Sequence, residues 1–262
     1  MLPDEVWDDR AAEEYDTPGE GMFEPAVVLP AVDFLAGLAD AGAALEFAIG
    51  TGRIAVPLAA RGVAVSGIDS SRAMIARLRS KAPIPVVVGD MATASVPGPF
   101  ALVYVVYNAI STLLTQEAQV TCFRNAARHL APGGRFVVEV EVPDLRALPP
   151  GKGGVVFESS SGYLGVDTVD VLHRGLVSHH LRFDRGREAT LFRSAHRYVW
   201  PSELDLMGRL AGFPDAGVPA AGRRTRPGDR PARLAWSPVT PAGRVRPSPP
   251  NRPATSGVFR LG

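Results

Sequence analysis

Three carboxylates and a pair of glycines are the residues of this 262-residue chain whose types and spacing point to chemistry. Glu46 precedes Gly50-Thr51-Gly52, Asp69 closes the apolar run 63–68, and Asp90 follows the run 84–89. Each run has the length of a strand. An acid at or near the C-terminal end of three successive parallel strands lines one edge of a sheet, the edge at which open α/β sheets bind ligands. An ionised carboxylate only accepts hydrogen bonds, so such a rim suits a ligand that is cationic or rich in donors. A single strand-end acid is ordinarily just solvated, whereas three in register favour binding.

The glycines stand between an apolar run ending at Ile49 and a helix-compatible segment over 53–60. Strand, tight glycine turn and helix together make a nucleotide-binding corner. A Cβ there would keep the backbone away from a ligand, and the turn needs positive φ. The N–H groups at a helix start lack partners and suit a carboxylate or phosphate. Gly50-x-Gly52-x-x-Ala55 also fits a dinucleotide fingerprint, so the corner alone is open to an NAD(P)-dependent oxidoreductase.

The elements that must position these residues are legible as periodicities. A helix is expected over 24–39, with Val28, Val32, Leu35 and Leu38 at helical spacing and Pro30 bending or restarting it. Another spans 72–81, capped by Ser70 or Ser71, with Met74, Ile75 and Leu78 inward. The run 100–107 reads as a central parallel strand ending in the polar pair Tyr107-Asn108. A helix from Thr115 carries Val120, Phe123, Ala127 and Leu130 on one stripe, and Pro132-Gly133-Gly134 turns it into a strand over 135–142. Between 155 and 200, short β-rich runs separated by turn signals predict antiparallel hairpins. The expected fold is therefore α/β: a Rossmann-like, mostly parallel sheet with helices on both faces, plus a small antiparallel β appendage. Its divisions are an N-terminal lid or helical segment (1–44), the core (45–150), the appendage with one helix (151–213) and a tail (214–262).

The ordered motifs Glu46-Phe47-Ala48-Ile49-Gly50-Thr51-Gly52-Arg53, Gly67-Ile68-Asp69-Ser70-Ser71, Gly89-Asp90-Met91 and Leu130-Ala131-Pro132-Gly133-Gly134 resemble those of the class I S-adenosylmethionine-dependent methyltransferases. The resemblance extends over residues 15–213 and is greatest to actinobacterial small-molecule and natural-product enzymes. It implies S-adenosyl-L-methionine as cofactor and a small-molecule acceptor methylated at N or O. By the same resemblance Gly50, Thr51 and Gly52 contact the methionine end and Glu46 holds its ammonium. Asp69 takes the ribose hydroxyls and Asp90 the adenine amine, with Met91 on the ring and Ser70 and Tyr107 among the cofactor residues. The segment 1–20, with Trp7 and Tyr15, resembles a lid over the cofactor. Tyr15, Asn108, Glu139 and Glu141 are candidates to orient or deprotonate the acceptor, although an amine that arrives neutral needs no base. Ala48 replaces the family's first glycine, which tightens the turn entrance without loss of binding. A catalytically inactive cofactor-binding homologue is the further alternative, should the tail leave the sheet incomplete.

Composition narrows the partners. No apolar run approaches the ~20 residues that span a bilayer, and the acidic start has no secretory pattern, so a cytoplasmic protein is expected. Cys122 is the single cysteine and reads as core. His179-His180 are adjacent in a strand, point to opposite faces and do not suggest a metal site. Residues 214–262 hold nine Arg, no Lys and two Asp, a net +7, against −6 for the rest. An acidic body suits a cationic cofactor and argues against nucleic acid. The tail's ten Pro and six Gly predict poor order, with 256–261 as its one strand-like stretch. Its abrupt Arg, Pro, Ala and Gly bias is what a shifted reading frame in a GC-rich gene would give; a natural basic arm is the alternative.

Overall fold

Short apolar strands with both faces covered build the centre of the protein. The computed structural model describes residues 7, 9–141, 143–145, 148, 151–183, 189–213 and 233–238. Strands β1 (Ala44–Phe47), β2 (Val65–Asp69), β3 (Val86–Val88), β4 (Phe100–Val105) and β5 (Leu130–Val140) pair in parallel in the order β5-β4-β1-β2-β3. The order reverses between β1 and β4. A crevice therefore opens beyond their C-terminal ends, where Gly50 and Asn108 lie.

Alternation along each strand sorts side chains into two layers. Leu45 and Phe47 join Val103, Val105, Phe136 and Val138 beneath Cys122 and Phe123 of α5 (Gln116–His129) and Leu204 and Met207 of α6 (Pro201–Leu210). Ala44, Leu102, Tyr104 and Val137 face the other way. They meet Val28, Val32 and Leu35 of α2 (Pro25–Ala39), Leu58 of α3 (Ala55–Ala59) and Leu78 of α4 (Arg72–Lys81). Phe136 touches three rings, with centroids 5.1 Å from Phe123, 6.0 Å from Phe213 and 6.3 Å from Phe47. Burial of each such ring stabilises the fold by about 2–3 kcal/mol.

Helix α4 has the predicted bounds because Ser71, not Ser70, caps it: the Ser71 hydroxyl accepts from Met74 N–H at 3.2 Å. Pro30 does not interrupt α2, which is continuous through it. The helix after the glycines is shorter than expected, Ala55–Ala59. The buried face of α5 is rotated from the expected stripe: Gln119, Cys122, Phe123, Asn125, Ala126 and His129 are buried, while Val120 and Ala127 are half-buried. Asn125 donates to the carbonyls of Met91 and Ala94, and Val96 N–H donates to His129 Nε2, so these polar groups enter the core with their partners. Pro132-Gly133-Gly134 is a kink inside β5 rather than a turn before it, and β5 ends at Val140 instead of 142.

Four antiparallel strands form a separate meander: β6 (Gly154–Ser160), β7 (Tyr163–Asp170), β8 (Gly175–Phe183) and β9 (Ala189–Arg197). It is tied to the helices through Arg197, whose guanidinium donates to Glu203 at 2.7 Å and to Gln119 at 2.6 Å; Arg174 also pairs with Glu203. The expected turn over 184–186 lies outside the described residues. One strand of the tail is described, β10 (Arg233–Pro238), which pairs in parallel with β5. The strand expected at 256–261 lies outside the described residues.

Candidate active site

The glycine corner leaves β1 through three left-handed residues, Ala48 (φ +54°), Gly50 (φ +55°) and Gly52 (φ +84°). At Gly52 the reason is packing. A Cβ would stand 2.3 Å from Leu78 Cδ1 and 2.9 Å from Val56 Cγ2. At Gly50 the same position is open, with only the Ala48 carbonyl at 4.0 Å, so a side chain there would fill the crevice. Ala48 adopts a conformation that costs an L-residue about 1–2 kcal/mol, which is the price of losing the family's first glycine.

Asp69 holds the corner from the next strand. Its two oxygens accept Gly50 N–H at 2.7 Å and Ser71 N–H at 2.8 Å, and each retains further acceptor capacity. Burial raises its pKa, opposed by the N–H groups of Ser71, Gly50 and Ser70. Ser70 itself is exposed. Glu46 lies deeper, 3% exposed, because alternation puts it on the Tyr104 side of β1. Tyr104 O–H donates to it at 2.9 Å. Burial pushes its carboxyl up to about 8, against the pull of Tyr104, Arg53 and the Ala55 N–H. Asp90 differs from both. It is exposed and its carboxylate accepts Ala92 N–H at 2.7 Å, while Met91 is buried in the core.

The N-terminal segment lies over this corner. Tyr15, at the end of α1 (Asp9–Tyr15), meets Trp7 and Phe23 edge-on at 5.5 and 5.9 Å. Thr51 O–H donates to Asp16 at 2.6 Å, and the other Asp16 oxygen pairs with Lys81 at 2.6 Å. Burial pushes the Tyr15 phenol up to about 12, with Arg53 opposing and Tyr107, Asp69 and Asp16 adding to the shift. Tyr15 is therefore a neutral phenol at physiological pH, able to orient a ligand and unfit to act as a phenolate base. Trp7 also packs on Phe192 of β9 at 5.9 Å.

Across the crevice, Tyr107 (φ +54°) and Asn108 (φ +59°) form a second left-handed corner. Glu139 accepts Tyr107 N–H at 2.6 Å through its carboxylate and Asn108 N–H at 3.2 Å through its carbonyl, which commits it to the backbone. Glu141, one residue beyond β5, is exposed, and its N–H donates to Asn108 Oδ1 at 3.2 Å. The Arg53 guanidinium lies 4.6 Å from the centre of the Tyr107 ring. Arg53 and Tyr104 escaped the sequence reading. The register Glu46↔Tyr104 and the place of Arg53 directly after Gly52 were the available signals. Burial raises the Cys122 pKa, as befits a core thiol. His179 meets Thr168 and Arg193, whereas His180 meets Tyr163 and Phe192, so the pair does occupy opposite faces.

The family described as "Methyltransferase domain" matches residues 44–134. The CcbJ methyltransferase of Streptomyces caelestis, a solved structure, is 33% identical with a TM-score of 0.67, over 78% of this chain and 84% of that one. The chain belongs to the class I S-adenosylmethionine-dependent methyltransferases. A curated relative, the cypemycin N-terminal methyltransferase of a Streptomyces species, is 26% identical over 83% of this chain and 91% of its own. The SAM-bound structure of CalS10, an amino pentose methyltransferase from Micromonospora echinaspora, shares the fold at 21% identity and a TM-score of 0.60, over 78% and 89% of the two chains. The dinucleotide reading of the corner is thereby set aside, and S-adenosylmethionine is the cofactor of this methyltransferase. Its residues fit that group. Two buried carboxylates supply acceptors for a cationic, hydroxyl-bearing molecule, and the open cradle at Gly50 leaves room for it. No described helix is long and apolar enough to cross a membrane.

Proposed function

We propose that this methyltransferase methylates an N or O nucleophile of a small molecule of natural-product type, in the cytoplasm and without nucleic acid as a partner. The observation that carries the reading is the gathering of Glu46, Asp69 and the Gly50-Thr51-Gly52 backbone beneath Tyr15. S-adenosylmethionine supplies the electrophilic methyl group. The chain's own work is to hold, align and keep dry, and alignment alone can supply several kcal/mol. Glu46 receives the ammonium end, and Asp69, beside Ser70, receives the ribose hydroxyls. Gly50, Thr51 and Gly52 border the methionine part and Asp90 and Tyr107 the adenine and the open edge, while the Met91 side chain, expected on the ring, packs in the core behind Asp90. Tyr15 orients the acceptor as a phenol. Asn108 and Glu141 remain as acceptor-side residues, and Glu139 gives way to a structural role because its carboxylate already holds Tyr107 N–H. A relative named for methylating an N-terminus makes amines the acceptors to test first.

The test is calorimetric titration with S-adenosylhomocysteine followed by a mass-spectrometric screen of amine acceptors for methyl gain. Asp69→Ala is expected to weaken binding by about 2 kcal/mol, roughly thirtyfold, through loss of hydrogen bonds to a charged group. Unchanged affinity in a folded Asp69→Ala protein would remove the assignment.

A further inference from the structure

The Tyr107-Asn108 corner is held from two directions. One is β5, through Glu139 and the N–H of Glu141. The other begins in the appendage. Ser111, in the 3-10 turn Ala109–Thr112, donates to the Asn108 carbonyl through both its N–H (3.0 Å) and its O–H (2.7 Å). The same Ser111 oxygen lies 2.9 Å from His196 Nδ1, and His196 Nε2 lies 2.9 Å from the Ser194 hydroxyl.

The hydrogens along this line can be assigned by counting. Ser111 has one hydroxyl hydrogen and Asn108 receives it, so the hydrogen between Ser111 and His196 belongs to Nδ1. In a neutral imidazole Nε2 then accepts, and Ser194 donates. Burial depresses the basicity of His196, with His180 adding to the effect and Asp167 opposing it. The line therefore runs one way, from Ser194 through His196 and Ser111 to the carbonyl of a left-handed residue. Ser111 is fully buried and Ser194 is 8% exposed, so water does not readily replace either partner.

We infer that His196 is a positioning residue of the methyltransferase: acting through Ser111 from the other sheet, it holds the Tyr107-Asn108 corner in the shape that receives the cofactor. The inference rests on the proposed placement of Tyr107 at the cofactor's edge. Two consecutive left-handed non-glycine residues persist only where the surroundings fix them, and His196 is the appendage's share of that fixing.

The full-length enzyme is titrated with S-adenosylhomocysteine, and thermal unfolding is followed by circular dichroism. His196→Phe and Ser111→Ala are each expected to weaken binding about tenfold, and the double variant no more than either alone, because both cut one line. His196→Asn sets an amide N–H near the place of Nδ1 and is expected to bind within about twofold of the parent. His196→Gln, whose amide lies nearer Nε2, should bind as weakly as His196→Phe while melting at the same temperature as His196→Asn. That split is one a merely structural staple does not produce. Unchanged affinity in Ser111→Ala, multiplying losses in the double variant, or equal weakness of the Asn and Gln variants would each overturn the inference. If His196→Phe does not fold, Ser111→Ala and the Asn and Gln pair carry the test. Failure of the underlying cofactor reading shows itself separately, as parental affinity in Asp69→Ala.

Discussion

The two sheets of this protein put their chemistry in different places. In the parallel sheet every described strand but β5 has six residues or fewer, β1 and β4 are almost wholly buried, and Glu46, Asp69 and Asp90 sit at or near where strands stop. In the antiparallel meander the strands run to nine residues and are mostly half-buried, and polar groups sit in the middle of a face. Asp167, Ser178, Ser194 and His196 share the face that meets the core, where Ser178 donates to Asp167 at 2.7 Å. Covered faces force a parallel sheet to bind at its ends, whereas an antiparallel sheet can offer a whole face. The polar groups of the one sheet are therefore placed by the loops that leave its strands, and those of the other by alternation along a strand face.

That contrast can be broken by mutation. The largest effect is expected at Phe136→Ala, in the fully buried ring cluster of the parallel sheet, with a loss of about 3–5 kcal/mol in denaturant unfolding. Leu191→Ala, 44% exposed on the meander, should cost under about 1 kcal/mol. Equal losses would mean that the two sheets share one level of burial. Next, Asp167→Asn is expected to leave S-adenosylhomocysteine affinity within twofold while Asp69→Ala loses roughly thirtyfold, measured by the same titration. A large cofactor effect at Asp167 would merge the two regions.

A pH experiment sharpens the electrostatic side. Glu46 ionises near its ordinary 4.5 in the unfolded chain and near 8 in the fold. Between those values the native state holds a proton that the unfolded chain has lost. The stability associated with this group is whole below pH 4.5 and declines as pH rises toward 8. Glu46→Gln should flatten that decline in thermal melts. Because a cationic ligand favours the carboxylate, cofactor binding near pH 7 is expected to release close to one proton, and none in Glu46→Gln. Calorimetry in buffers of different ionisation enthalpy reads the difference. The smallest effect is at Ala48→Gly, where relief of the left-handed strain outweighs the added chain entropy by about 0.5 kcal/mol.

Much of the parallel sheet was legible because its signals are local. Helix α4 carries its cap, stripe and stop within a few residues, and the rim acids lie inside β1, at the end of β2 and just after β3. What stayed hidden depends on partners far along the chain. Gln119, Asn125 and His129 lie off the apolar stripe the sequence offers and are buried with Ile110, Met91 and Val96 as their partners. Glu139 looked like a catalyst because nothing in its own strand announces that Tyr107 N–H will take its carboxylate. Strand β10 was averaged away in a tail whose proline and arginine content describes its neighbours better than its own six residues.

The contacts of Trp7 carry one more consequence. A file of rings runs from Phe23 through Tyr15 and Trp7 to Phe192 and His180, from the glycine corner to the meander. The segment over the glycine corner is thus anchored on the other sheet. Packing on the meander is therefore packing on the N-terminal segment too, and Phe192 contributes to where Trp7 and Tyr15 sit.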